Sequence, residues 1–226
     1  MDRAAFERDG AWRFDRRLTT SEVEGLRALA DDRIGQRPGV RLTDEPLLTA
    51  LLAHKGPIGA VAAALTSPAA RPVRAVIFDK TADANWAVAW HQDRTIAVRE
   101  RVEVEGFGPW SSKDGALHVA PPYELLARMI TVRVHLDPVD ELNAPLRIAL
   151  GSHAQGRVPA ADAEAFASAA PQTVCLADAG DIWAYRTPIL HTSDRALCAG
   201  RRRVLQVDYA DFELPGGLIW KGLAGA

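Results

Sequence analysis

The sequence predicts a mainly β protein, a barrel or sandwich with flanking helices, behind a helical N-terminal layer. Three observations carry this. Apolar residues in the first third recur at helical spacing. From Arg71 onward, short runs rich in β-branched and aromatic residues succeed one another, often separated by Gly, Pro, Asp or Asn. No repeat, low-complexity tract or long linker interrupts the chain. It therefore reads as one domain over 1–226, with 1–70 as mostly helical support and 71–212 as the β core.

In chain order, "TTSEVEGLRALADDR" places Val23, Leu26, Leu29 and Ala30 on one helical face, and Ser21 with Glu24 offers a capping box. "DEPLLTALLAHKG" and "PIGAVAAALTS" read as two further helices parted by Gly56-Pro57. The strand candidates are "RPVRAVIFDKT", "WAVAWHQ", "TIAVRERVEVEG", "MITVRVHLD", "LRIAL", "QTVCLA", "DIWAYR" and "RVLQVDYADF". "PPYELLARM" and "AADAEAFASAA" are helical inserts among them. The long "EGFGPWSSKDGALHVAPPYE" segment reads as a loop able to cover a pocket.

Composition narrows the function. A net charge of −2 provides no global field toward nucleic acid or an anionic membrane. The bias of 23 Arg over 4 Lys reads as genomic composition before chemistry. No apolar run approaches the ~20 residues of a membrane helix. Cys175 and Cys198 form no CxxC pair, and the charged N-terminus lacks an apolar signal core, so a cytoplasmic protein is expected.

The chemistry centres on "NWAVAWHQDRTIAV". Alternate residues of a strand share a face, so His91 and Asp93 project together while Gln92 points away. An imidazole and a carboxylate on one face are two parts of a 2-His-1-carboxylate metal site. A third ligand must come from a later strand, with His118, His135, His153 and His191 as candidates; His54 falls in the helical section. His191 is favoured because a strand-like run opening with Arg201, Arg202 and Arg203 follows about ten residues later. An arginine facing inward there would hold a carboxylate bidentately.

These pieces together resemble the phytanoyl-CoA dioxygenase family of Fe(II)/2-oxoglutarate-dependent oxygenases. The matching segments are "IFDKTADANWAVAWHQD", "LHVAPPYELLARMITVRVHLDPVDELNAPLRIALGSHAQG", "AGDIWAYRTPILHTS" and "RRRVLQVDYA". They span roughly 60% of the chain, residues 74 to 210. The resemblance implies a cupin-like double-stranded β-helix, or jelly roll. It implies Fe(II) held by His91, Asp93 and His191, with 2-oxoglutarate as cosubstrate and O2 as oxidant. Arg202, eleven residues after His191, matches the arginine that binds the distal carboxylate of 2-oxoglutarate, with Arg201 and Arg203 one residue to either side. Ser193 matches a serine on the same carboxylate, Arg133 falls on the cosubstrate pocket, and Lys80 matches a lysine ahead of the metal-binding pair. Two departures fall in loops: "NAPLRIALGSH" has Ala144 and Leu150 where the family's usual pattern has Gly and Pro. His153 in this turn reads as structural, capping a loop over the barrel mouth.

The implied reaction is hydroxylation of an unactivated C–H bond in a small metabolite or natural-product intermediate, with release of succinate and CO2. Asp93 favours it over halogenation, since related halogenases carry a small residue there. Substrate contacts are expected from Gln92, Arg94, Trp110, His118 and Tyr185. The alternative is the same fold acting as a non-catalytic metal or small-molecule binding protein. A hydrolase or isomerase on a cupin-like barrel would need an HxH pair, which is missing. A nucleic-acid substrate lacks the basic, aromatic-laced surface it would require.

Overall fold

A computed structural model describes residues 1–35, 37–198 and 200–223 of the chain. In order the elements are α1 (Arg3–Asp9), β1 (Ala11–Phe14), α2 (Thr20–Ile34), β2 (Gly39–Leu42), α3 (Pro46–Leu52), α4 (Gly59–Leu65), β3 (Arg71–Lys80), β4 (Val88–His91), β5 (Ile96–Val98), β6 (Trp110–Lys113), β7 (Ala116–Val119), α5 (Tyr123–Arg128), β8 (Ile130–His135), β9 (Leu146–Ala149), α6 (Ala163–Ala169), β10 (Gln172–Val174), β11 (Ile182–Arg186), β12 (His191–Ser193) and β13 (Arg202–Ala210).

The strands form three antiparallel sheets. The major sheet has six strands in the order β1-β11-β8-β13-β3-β2, and the minor sheet four, β10-β9-β12-β4. A three-stranded sheet, β5-β7-β6, stands beside them. The major and minor sheets face each other across an apolar seam that includes Leu146, Ile148, Tyr185 and Ile189. This is the expected jelly-roll arrangement of two facing sheets.

One face of the major sheet packs on the helices. Ile77, Val132, Val134, Leu205 and Val207 meet Leu26, Leu48, Leu52, Ile58 and Leu65 there. Burying each such Leu or Ile contributes about 1.5–3 kcal/mol of transfer free energy. Every second residue of these strands points the other way, into the space between the sheets. A second apolar cluster lies under the small sheet, where Phe212 and Trp220 pack edge to face with centroids 5.7 Å apart.

Several expectations are corrected. The capping box on α2 is Thr19 with Glu22, two residues before the expected pair; Glu22 N–H donates to Thr19 Oγ1 at 3.3 Å. The first 70 residues are more than helical support, because β1 and β2 form both edges of the major sheet. Of "TIAVRERVEVEG" only Ile96–Val98 pairs as a strand, and Val102 and Val104 pack on the second cluster without a ladder. The segment read as a long loop contains the β6–β7 hairpin, whose tip is Asp114-Gly115, with φ of 49° and 71°. Asp-Gly with both residues in the left-handed region is the turn that matches strand twist.

Candidate metal centre

β4 and β12 are neighbours in the minor sheet, and their pairing puts His91 directly opposite His191. The two rings lie 4.2 Å apart between centroids. β4 ends at His91, and the chain continues through Gln92 to bring Asp93 round to the same side. One ligand atom from each of His91, Asp93 and His191 lies within 4.8 Å of the others. His91 Nδ1 is 2.8 Å from Ala89 O, and His191 Nδ1 is 3.0 Å from Ile189 O. A carbonyl accepts only, so each Nδ1 carries the proton and each Nε2 keeps its lone pair for a metal.

The local charges favour the ligating forms. Burial and the neighbouring His91 push His191 down to about 4, so it is neutral at pH 7. Burial opposes ionisation of Asp93, but Arg74 and then the two histidines outweigh it and hold the carboxyl below its ordinary value. Arg74, on β3, sits 3.7 Å from Asp93 Oδ2 and 2.6 Å from Asp208 Oδ2. Thr131 donates to the other oxygen of Asp208 at 3.0 Å.

These three side chains open on a cavity of about 150 Å³ walled by both sheets, with Arg133, Ser193, Arg202 and Gln206 among its lining. Arg202 is 3% exposed, and its guanidinium donates to Ala144 O. Arg133 donates to Gln206 Oε1 at 2.7 Å. The Nε atoms of both arginines are buried without a hydrogen-bond partner among the described residues. Neither guanidinium makes a salt bridge among the described residues, and burial plus Arg133 push Arg202 below its ordinary pKa. Arginine stays protonated at neutral pH, so two buried positive charges face this cavity without an acid. A bound dicarboxylate would supply the missing charge.

The flanking arginines point elsewhere. Arg201 pairs with Asp79 at 2.6 Å and Asp31 at 2.7 Å, and Arg203 pairs with Asp137 at 2.8 Å. They lie on the helix side of the sheet. Ala144 adopts φ 51°, a left-handed conformation that favours glycine, and this turn presents its carbonyl to Arg202 and, at 3.2 Å, to Ser193 Oγ. A bend suited to Gly is therefore kept with Ala, at a cost of about 1 kcal/mol.

Other expected site residues lie outside the cavity. Lys80 is 1% exposed and sits behind Ser193, donating to Trp86 O and Asp194 O at 2.7 Å each. Burial and then Arg202 and Arg133 lower its pKa to about 8. Gln92 points away, as expected, but is buried as a clamp: it donates to Gly156 O and Pro188 O and accepts from Val158 N–H. Arg94 donates to Val158 O. Trp110 packs on the second apolar cluster with Arg101 stacked 5.3 Å from its ring. His118 is fully buried on β7, its Nδ1 2.9 Å from Ala116 O. Tyr185 is fully buried with its ring 5.7 Å from His191, packing behind that imidazole. His153 does not cap the barrel mouth; it packs on Gly10, where a Cβ would come within 2.2 Å of its Nδ1, and reaches Glu7 O.

Arg74 escaped the sequence reading. The available signal was a charged residue in a buried strand, in phase with Val76, Phe78 and Lys80.

Residues 6–204 match the phytanoyl-CoA dioxygenase (PhyH) family. The chain belongs to that family. No curated protein matches it in sequence. Several solved structures share the family fold. The epimerase SnoN from nogalamycin biosynthesis, in complex with Fe3+, alpha-ketoglutarate and nogalamycin RO, is 19% identical with a TM-score of 0.68, covering 95% of this chain and 89% of its own. The alpha-ketoglutarate-dependent carbocyclase SnoK, also from nogalamycin biosynthesis, is 16% identical with a TM-score of 0.69, covering 98% and 86%. HygX from Streptomyces hygroscopicus, with nickel, 2-oxoglutarate and hygromycin B bound, is 17% identical with a TM-score of 0.62, covering 93% and 87%. No helix among the described residues is long and apolar enough to cross a membrane.

Proposed function

We propose that this chain is an Fe(II)/2-oxoglutarate-dependent dioxygenase that hydroxylates an unactivated C–H bond of a small metabolite or natural-product intermediate. One observation carries the reading. A two-histidine, one-carboxylate set opens on a cavity holding two buried guanidiniums without an acidic partner. A metal ion and a dicarboxylate are the two groups whose charge and donor needs this arrangement complements. Family membership and the SnoN and HygX structures, which hold iron or nickel with 2-oxoglutarate, support the same pair.

His91, Asp93 and His191 hold Fe(II) in this reading. Arg202 and Ser193 take the distal carboxylate of 2-oxoglutarate, with Arg133 beside them. When bound, the metal and cosubstrate activate O2 for attack on a C–H bond, with succinate and CO2 as coproducts. The remaining work falls to the chain. Ala89 and Ile189 fix the imidazole tautomers through their carbonyls. Arg74 keeps Asp93 ionised and oriented. Tyr185 and the apolar seam exclude water behind His191. Substrate position decides the outcome, and Asp93 supports hydroxylation over halogenation. The neighbours named for epimerisation and carbocyclisation make those the reactions to test against it. The free cysteines Cys175 and Cys198 support a reducing, cytoplasmic setting.

The test is anaerobic addition of Fe(II) and 2-oxoglutarate to metal-free protein. A visible charge-transfer band is expected, absent in Asp93→Ala and requiring more 2-oxoglutarate in Arg202→Ala. Metal binding without the band would favour the non-catalytic binding protein instead.

A further inference from the structure

A second cavity adjoins the first. It is a groove of about 610 Å³ that shares Arg74, Phe78 and Trp86 with the metal pocket. Its volume suits a ligand of drug size. Its walls have two characters. Val40, Val76, Phe78 and Trp86 make an apolar and partly aromatic surface. Arg37, Arg41 and Arg74 add three positive charges against the single carboxylate of Asp114.

The three arginines are not equally committed. Arg37 is spent on the C-terminal end of α2, donating to Ile34 O at 3.2 Å. Arg74 is spent on Asp208 and Asp93. Arg41, on β2, has Asp114 as its one acidic partner among the described residues, at 3.3 Å. That carboxylate is 82% exposed, at the tip of the β6–β7 hairpin, while the Arg41 side chain is 18% exposed. An exposed partner of this kind contributes little and is readily exchanged. Burial and the nearby Arg74 both press Arg41 below its ordinary pKa, so an anion arriving in the groove meets an under-compensated charge.

We infer that this groove receives the substrate, and that the substrate is a largely apolar, ring-bearing acid whose carboxylate displaces Asp114 from Arg41. This rests on the dioxygenase reading for the reaction, but the groove's preference for an acid stands on its own charges. A neutral analogue would leave Arg41 with Asp114, and a cationic one would meet three arginines.

Fluorescence titration tests this with anthracene-2-carboxylate, anthracene-2-carboxamide and 2-(aminomethyl)anthracene on protein loaded with Ni(II) and 2-oxoglutarate. The acid should bind about tenfold tighter than the amide, the value of one charge-assisted hydrogen-bonded pair, with the amine weakest. Arg41→Gln should erase that preference and leave the amide unchanged. Arg41→Lys should restore part of it. Asp114→Asn should tighten the acid by about twofold, the scale of an exposed ion pair. In separate anaerobic samples, protein loaded with Fe(II) should broaden the probe's proton resonances relative to protein loaded with diamagnetic Zn(II), as adjacency to the metal pocket requires. Equal affinity of acid and amide in the wild type, or discrimination that survives Arg41→Gln, would overturn the inference. The titration is repeated without metal or cosubstrate. An Arg41-dependent acid preference in a protein that binds neither would sink the dioxygenase reading and keep the groove. Metal and 2-oxoglutarate binding with no acid preference would sink the groove alone.

Discussion

On β13, Leu205 and Val207 point into the helical layer, while Arg202, Gln206 and Asp208 point between the sheets. The neighbouring strands repeat the division. β8 sends Val132 and Val134 one way and Thr131, Arg133 and His135 the other; β3 sends Ala75 and Ile77 one way and Arg74, Phe78 and Lys80 the other. Both faces are buried, so the contrast is not one of inside against outside. The helix face is closed by apolar contact and needs nothing further. The inner face buries charge: Arg74 and Asp208 pair within the sheet, while Arg133 and Arg202 have no acidic partner among the described residues. A two-residue repeat lets one set of strands carry both tasks.

The sharpest way to separate the two faces is to cut one residue from each. Asp93→Ala should weaken metal binding by at least about 100-fold while changing the melting temperature of metal-free protein little, because Asp93 is partly exposed and Arg74 keeps its 2.6 Å pair with Asp208. Calorimetric titration with Ni(II) beside a thermal melt reads both. Leu205→Ala should do the reverse, costing about 3 kcal/mol in denaturant unfolding while the folded fraction binds metal normally. If Leu205→Ala spoiled metal affinity per folded molecule, the division between faces would fail.

Arg202→Gln sharpens the contrast within the inner face. The 2-oxoglutarate requirement should rise about 10- to 100-fold, since a bidentate charged contact is lost. Cosubstrate-free protein should unfold no more easily than wild type, because an uncompensated guanidinium is gone. At 100 times its dissociation constant, 2-oxoglutarate should add about 2.7 kcal/mol to the wild type, and much less to the variant at the same concentration.

Acid should also act through the inner face. His135 is 1% exposed with neither ring nitrogen partnered among the described residues, and burial followed by Arg133 and Arg202 holds it well below its ordinary value. His191 is held near 4. The unfolded chain takes up these protons near pH 6.5, and the native chain only at lower pH. The unfolded state therefore binds more protons in that window, and stability falls as pH drops from about 6.5 toward 4. Each histidine contributes about 1.4 kcal/mol per pH unit there. Melting curves from pH 7.5 to 5 should show the decline, and His135→Phe should flatten it. The smallest effect belongs to the helical layer: Thr19→Ala removes the α2 cap and should cost about 1 kcal/mol, with no pH dependence between 6 and 8.

What the sequence disclosed divides in a similar way. The long apolar strands β3, β8 and β13 and the helix α2 announce themselves, since many residues in phase outweigh any one exception. The grouping of the candidate metal set was legible because His91 and Asp93 sit two positions apart and His191 precedes an arginine run. The short elements were not. "HTS" of β12 has three residues and no apolar alternation, and β1 and β2 have four each, contributing edges whose partners are far away in the chain. The Asp114-Gly115 hairpin was legible as a turn signal but lay hidden in a stretch that reads as loop. Substrate contacts fared worst. Gln92, Trp110 and His118 have the chemistry of a site, and only tertiary placement shows the first clamping a loop and the other two buried in or under the small sheet. Arg202 among three arginines depends on strand phase, which a one-residue slip reverses.

The order of strands in the major sheet also sets a schedule. β13, the last strand along the chain, lies in the middle, between β8 and β3. Before it emerges from the ribosome, the sheet can exist only as β1-β11-β8 and β3-β2, two fragments with nothing to join them. Each would expose a long unpaired edge and one apolar face. The helices made first would have no completed surface to cover, and Arg202 would not yet exist to meet Ala144. Completion of the major sheet thus waits for β13, and such non-local pairing is the kind that folds slowly.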